Sequence, residues 1–199
     1  MKEDKIVIGV TGCIRAGKEM VARYLARCHG AVEVSSSDAL YKTLDFFGVP
    51  RVRKNSQHLS TFLRTSFRDS VLEHPIVHAI EQSHDRLFVV TSLRRESDFS
   101  ELKKRFQFYL VFVDAPLERR YQWFLNELKD PLDRDMTLEE FCVRDAAESE
   151  TLIEDLRMSA NGIIYNQGTI TDLERQVSRF LESIDVEFWQ TYRALRGLA

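Results

Sequence analysis

Gly12, Gly17 and Lys18 stand in the spacing GxxxxGK, inside the stretch GVTGCIRAGKEMVARYL that follows an apolar run at residues 6–10. Glycines in this pattern let successive backbone N–H groups turn inward around phosphate oxygens, and the following helix adds the positive end of its dipole. The segment Gly12, Cys13, Ile14, Arg15, Ala16, Gly17, Lys18, Glu19 and Met20 is therefore expected to hold the phosphates of ATP, with the Lys18 ammonium at the terminal ones. The bland alternative is a glycine-containing strand-to-helix turn with a surface lysine. The position between a buried strand and an amphipathic helix favours the phosphate role. After the lysine the pattern departs: Glu19 replaces the Ser or Thr that normally ligates magnesium. A carboxylate there either holds Mg2+, directly or through water, or is a first-turn acid complementing the helix dipole.

Phosphoryl transfer asks mainly for positioning and neutralisation of charge, so arginines near strand ends are the next candidates. Arg94 and Arg95 follow the apolar run at residues 87–90; guanidinium forks suit an acceptor phosphate, and Arg94 is the preferred one. Arg64 and Arg68 lie four apart on an expected helix and would share a face from which to clamp the acceptor. Asp38 follows Ser35, Ser36 and Ser37, where it orients the acceptor or a water, or caps a helix. Asp114 precedes Pro116 and reads as a helix cap at least as well as a catalytic group. Arg119, Arg120 and Arg134 flank or occupy a charged segment from which one of them, Arg120 among them, would reach the ATP phosphates. Asn166 and Gly168 occupy a turn whose tightness alone explains them. His74 and His78 have helical spacing, but Pro75 intervenes and no HExxH pattern accompanies them, which argues against zinc.

The elements that must carry these residues are visible in the hydropathy pattern. Buried-strand runs occur at residues 6–10, 87–90 and 108–113, with weaker ones at 31–34 and 162–165, and helical spacing lies between them. Alternation of this kind predicts a doubly wound α/β fold: a parallel five-stranded sheet with helices on both faces, because each parallel connection needs a crossover. Thr137 with Glu140, and Thr171 with Glu174, have capping-box spacing and predict helices at 138–148 and 171–184. Residues 129–137 are charged, contain Pro131 and lack periodicity, so they read as a small lid; residues 49–58 are similarly polar. Phe188, Trp189, Tyr192 and Leu195 recur helically within 186–198, which fits packing against the domain or against a second subunit of a homodimer. The other phenylalanines sit at strand and helix-core spacings and read as core.

GCIRAGKEMVARYL resembles the phosphate loop of the phosphomevalonate kinase and phage-type deoxynucleoside monophosphate kinase group, whose members similarly carry an acid after the lysine. LFVVTSLRRESDFSELKKRF is similar to that group's strand, arginine pair and helix, and IIYNQGTITDLERQVSRFL to its last strand, Asn-x-Gly turn and helix. FVDAPLERRYQWF, with LEEFCVRDAAE, also resembles the dephospho-CoA-kinase-like P-loop proteins found alone or beside deoxycytidylate deaminase domains. The resemblance implies a P-loop NTPase fold and ATP- and Mg2+-dependent transfer of a phosphoryl group to a nucleoside monophosphate or similar phosphate-bearing metabolite. It also implies that Asn166 and Gly168 lie near the adenine. Two departures stand beside it. Thr91 and Ser92 occupy the place of an aspartate in such families, and Cys13, Ile14 and Arg15 replace small residues. These keep open a catalytically degenerate nucleotide-binding regulatory or scaffold module.

The bulk numbers agree with one kinase-like domain over residues 1–199: 44% hydrophobic content fills one sizeable core. With 28 basic and 31 acidic residues the formal charge is −3, which argues against a general nucleic-acid or membrane-surface binder and against a P-loop motor with a basic track. Cys13, Cys28 and Cys142 show no metal-ligand spacing, and their odd number points to a reducing, cytoplasmic setting.

Overall fold

The computed structural model describes residues 3–91, 93–126, 136–149, 152–184 and 189. Its strands are β1 (Glu3–Gly12), β2 (Val32–Ser35), β3 (Leu87–Thr91), β4 (Phe106–Asp114) and β5 (Gly162–Tyr165). Each parallel pairing needs a crossover, and the chain supplies helices for them: α1 (Lys18–His29), α2 (Ser36–Phe46), α3 (Arg53–Ser66), α4 (Glu73–Gln82), α5 (Ser100–Arg105), α6 (Leu117–Asn126), α7 (Leu138–Ser149), α8 (Leu152–Ser159) and α9 (Ile170–Ile184). The strands form one parallel sheet in the order β2-β3-β1-β4-β5. The central β1 pairs with β4 up to Gly12 opposite Val113, so the loop that leaves β1 starts directly from the sheet.

Strand alternation splits the core into two layers. Ile6, Ile8 and Val10 face one side with Val21 and Leu25 of α1 and Leu173, Val177 and Leu181 of α9. Val7, Phe88 and Val90 face the other, with Ile76 and Ile80 of α4, Leu102 of α5 and Leu156 of α8. Trp189 belongs to the first layer, its ring edge-on to His29 at 5.6 Å, so this C-terminal aromatic packs against its own domain. The remaining part of the expected helix 186–198 lies outside the described residues, as do residues 129–135 of the expected lid, Arg134 among them.

Several local expectations change. Residues 53–58, read as polar loop, begin α3, a helix that buries no residue and packs chiefly on α2 and on the 3-10 turn Asp69–Leu72. Phe46, Phe47, Phe62 and Phe67, read as core, are consequently exposed at 85%, 71%, 58% and 69%. Pro75 sits in the first turn of α4, where its missing N–H would have had no helical partner anyway. The α5 N-terminus is capped from outside: buried Glu73 accepts from the backbone N–H of Glu101 (2.5 Å) and Leu102 (2.9 Å), and burial raises its carboxyl above the usual range.

The capping box at Thr137 forms as expected, Glu140 accepting from Thr137 N and Thr137 from Glu140 N. At α9 the box shifts by two residues: Thr169, not Thr171, is the cap, exchanging hydrogen bonds with Asp172 (3.0 and 3.2 Å), while Glu174 is drawn off by Arg27 at 2.8 Å. Asp172 is held below its ordinary value by the backbone N–H of Thr169 and then by its hydroxyl. A depressed carboxyl contributes stability that is present above its unfolded value of 3.8 and is lost as pH falls through the folded one. Thr169→Ala should therefore lower stability in urea denaturation at neutral pH, and progressively less in acid. Thr171→Ala should stay within about 0.5 kcal/mol of the parent.

Candidate active site

Between β1 and α1 the chain bends in a way its residue types dictate. Gly12 has φ 137°, and a Cβ there would lie 2.0 Å from the Val113 carbonyl oxygen of β4. Gly17 has φ 100°, and a Cβ there would lie 2.3 Å from Asn166 Nδ2. Only glycine fits at either place. Arg15 also adopts a left-handed conformation, φ 58°, a strain that a glycine would not carry. Within the loop Ala16 N donates to Cys13 O at 3.2 Å, and α1 opens at Lys18 with Met20 N and Val21 N bonded to Gly17 O. Lys18 lies across the loop, its Nζ donating to Gly12 O (2.8 Å) and Cys13 O (2.7 Å). Glu19 is exposed on the first turn of the helix. Burial raises the Cys13 thiol, with Arg120 opposing, so it stands neutral beside the loop.

Two residues brace this loop from behind. Asn166, 3% exposed after β5, donates from Nδ2 to Ala16 O at 3.0 Å while its backbone N–H bonds to Asp114 O at 2.7 Å. Its side chain supports the loop backbone. Arg120 of α6 is buried and forked onto both oxygens of Asp145 of α7 (2.6 and 2.8 Å); it also donates to Ala115 O (3.0 Å) and to Ile14 O (3.2 Å). Burial disfavours its charge, but Asp145 more than compensates and the guanidinium is raised above its ordinary value. Phe124 of the same helix lies 5.8 Å from the guanidinium of Arg15 on the loop and 5.8 Å from that of Arg144 on α7.

The parallel sheet sets the other candidates at the same carboxyl edge. Arg94, exposed after β3, has its backbone N–H bonded to Asp98 Oδ2 at 2.9 Å, and Arg95 N bonds there at 3.1 Å. Asp98 is 5% exposed, and its other oxygen accepts from Arg64, which also donates to the Asp69 backbone oxygen. Arg64 thus spends its fork fixing the arginine loop. Arg68 does not share its helix face, because α3 ends at Ser66 and Arg68 is extended at φ −161°; it lines a separate cavity with Ser70, Glu73 and His74. Asp38 is exposed in the first turn of α2 and does not cap it; Ser35 does, accepting from Ser37 N at 3.1 Å. Asp114 pairs with Arg157 of α8 at 3.1 Å. Thr91 lies 3.4 Å from Glu33 Oε1, and Ser92 falls outside the described residues.

Beyond the loop, Asp114, Ala115, Pro116, Tyr165 and Gln167 line a cavity of about 210 Å3. Arg119 closes the turn beside it, donating to the Gln167 and Gly168 carbonyl oxygens. Asp98, Asp145 and Arg144 carry no distinguishing signal in the sequence. Each is an ordinary helical or loop charge until its partner is known; the spacing of Arg120 and Phe124, which puts both on one face of α6, is the local feature that bears on them.

The sheet order and the strand–loop–helix unit at Gly12–Lys18 define the fold of P-loop kinases. The shikimate kinase of Acinetobacter baumannii superimposes with a TM-score of 0.57 at 18% identity, over 89% of this chain and 93% of that one. The dephospho-CoA kinase of Campylobacter jejuni gives 0.51 at 17% identity, over 92% and 99%. By sequence the chain is similar to a UPF0200 protein of Methanothermobacter thermautotrophicus, 26% identical over 184 residues, 90% of each. It is also 29% identical over 170 residues to a deoxycytidylate deaminase of Schizosaccharomyces pombe, matching 82% of this chain and 46% of the deaminase. No family model matches the chain.

The Arg64–Asp98 pair gives a direct test of this edge. Asp98→Ala should destabilise by about 3 kcal/mol in urea titrations, since it strands a largely buried guanidinium and two backbone donors. Arg95→Ala, which breaks only an exposed pair with Asp69, should cost less than about 1 kcal/mol.

Proposed function

We propose that this chain is an ATP-dependent phosphotransferase that moves the γ-phosphoryl group to a nucleoside monophosphate or a similar phosphate-bearing metabolite. The observation that carries the reading is the loop itself: two obligatory glycines, a helix N-terminus at Lys18, and the Lys18 ammonium lying on the loop carbonyls, from which a polyphosphate would draw it. The kinase folds it resembles support the same class.

In this reading Lys18 and the amides of the segment Gly12–Met20 other than those of Ala16 and Met20, which bond to loop carbonyls, hold the donor phosphates, and the base lies against the turn 166–168, beside the cavity at Asp114 and Gln167. Arg94 binds the acceptor phosphate, with Asp38 orienting the acceptor and Arg68 a second candidate contact. An oxygen of the acceptor phosphate attacks the γ-phosphorus as the bond to the β–γ bridging oxygen breaks, and ADP leaves with that oxygen. Catalysis is electrostatic, the cations offsetting charge on the transferring group. The Glu19 carboxylate, an oxygen donor on the first turn of α1, would hold magnesium, which would supply charge neutralisation at the donor phosphates. Arg120, Asn166 and Arg64 act by bracing the loops. The three free cysteines fit a reducing, cytoplasmic setting.

Coupled ADP release with deoxynucleoside monophosphates, dephospho-CoA and phosphomevalonate tests the proposal. Turnover is expected with at least one acceptor and should fall about 100-fold or more in Lys18→Ala. ATP binding without turnover across the panel would overturn the kinase reading. Glu19→Ser separates it from a degenerate module: a gain of turnover in that variant would mark the parent loop as impaired.

A further inference from the structure

Two adjacent residues of the phosphate loop face two adjacent residues of α7 through a single helix. Ile14 O accepts from Arg120, which is forked onto Asp145; Arg15 lies over Phe124, whose ring also meets Arg144. Arg120 and Phe124 are one helical turn apart on α6, so both contacts come from the same face. The Arg120 and Asp145 side chains are 7% and 15% exposed, and the guanidinium has one N–H each on Ala115 O and Ile14 O besides its fork on the carboxylate. An arginine so engaged is not a swinging phosphate ligand. Its remaining leverage is on Ile14, whose carbonyl must point away from the loop interior if the amides are to point into it.

We propose that Asp145 is a positioning residue for donor binding. By locking the Arg120 guanidinium, it holds the Ile14 carbonyl outward and keeps the loop amides aimed at the phosphates. Without the carboxylate, Arg120 is a buried cation with carbonyl partners alone, and it leaves for solvent or turns into the loop; either way Ile14 loses its tether. The pair also joins α6 to α7.

This inference rests on the reading that the loop holds polyphosphate, and the experiment separates the two. ATP and inorganic triphosphate binding are measured by calorimetry for the parent, Asp145→Asn and Arg120→Lys, together with KM for ATP, kcat and thermal midpoint. Asp145→Asn is expected to weaken both ligands and to raise KM for ATP about tenfold, with kcat changed less than about threefold. Arg120→Lys keeps the charge but loses the fork and should behave in the same direction, so the test survives if one variant fails to fold. Asp145→Glu should recover part of the affinity. Lowered thermal midpoints with binding and KM unchanged would show the pair to be merely structural and overturn the inference. If the parent itself binds neither ATP nor triphosphate, the proposed function falls instead.

Discussion

Everything at the carboxyl edge depends on how closely the backbone at Gly12 passes the Val113 carbonyl of the neighbouring strand. A Cβ at Gly12 would stand 2.0 Å from that oxygen, a distance no side chain tolerates. Because the approach is allowed, β1 stays paired to its last residue and the chain leaves the sheet abruptly, delivering its next amides to the start of α1. Gly17 repeats the constraint at the far end of the loop against Asn166. Close contacts at both ends leave the loop backbone little room to move.

Two buried arginine–aspartate pairs then support the two halves of the edge. Arg120–Asp145 backs the glycine loop, and Arg64–Asp98 backs the loop that carries Arg94. Pairs of this kind add little net stability, since desolvation offsets their attraction, yet losing one partner costs about 3–5 kcal/mol. Their worth here lies in geometry: each guanidinium also donates to a backbone carbonyl, Ile14 or Asp69, and thereby fixes main chain. The side chains offered toward solvent are by contrast exposed, Glu19 and Asp38 in the first turns of α1 and α2 and Arg94 in the segment after β3.

The strands and the glycine loop were legible because their signals are local. Apolar runs at 6–10, 87–90 and 108–113 each match a strand, lengthened where pairing continues past the apolar core. Helix starts were less secure, since Thr169–Asp172 and Thr171–Glu174 satisfy one rule equally. In the structure Thr169 bonds with Asp172, and Glu174 pairs with Arg27 on α1, a partner distant in sequence that the local pattern does not reveal. The polar stretch at 53–58 concealed a helix for a related reason: α3 buries none of its residues, so no inward stripe announced it.

By itself the sequence determined the α/β alternation, the place of the sharp turn at Gly12 and Gly17, and the cation at Lys18, because these follow from hydropathy period and from the absence of a Cβ at set positions. The tertiary structure alone decided which charges face outward and which hold others in place. Arg120, Arg64 and Asn166 have side chains that suit a ligand equally well, and each was drawn instead to backbone or to an acid on another element. Partner choice among identical polar groups depends on distances between segments far apart in the chain, and only the packing of the sheet and its helices sets those.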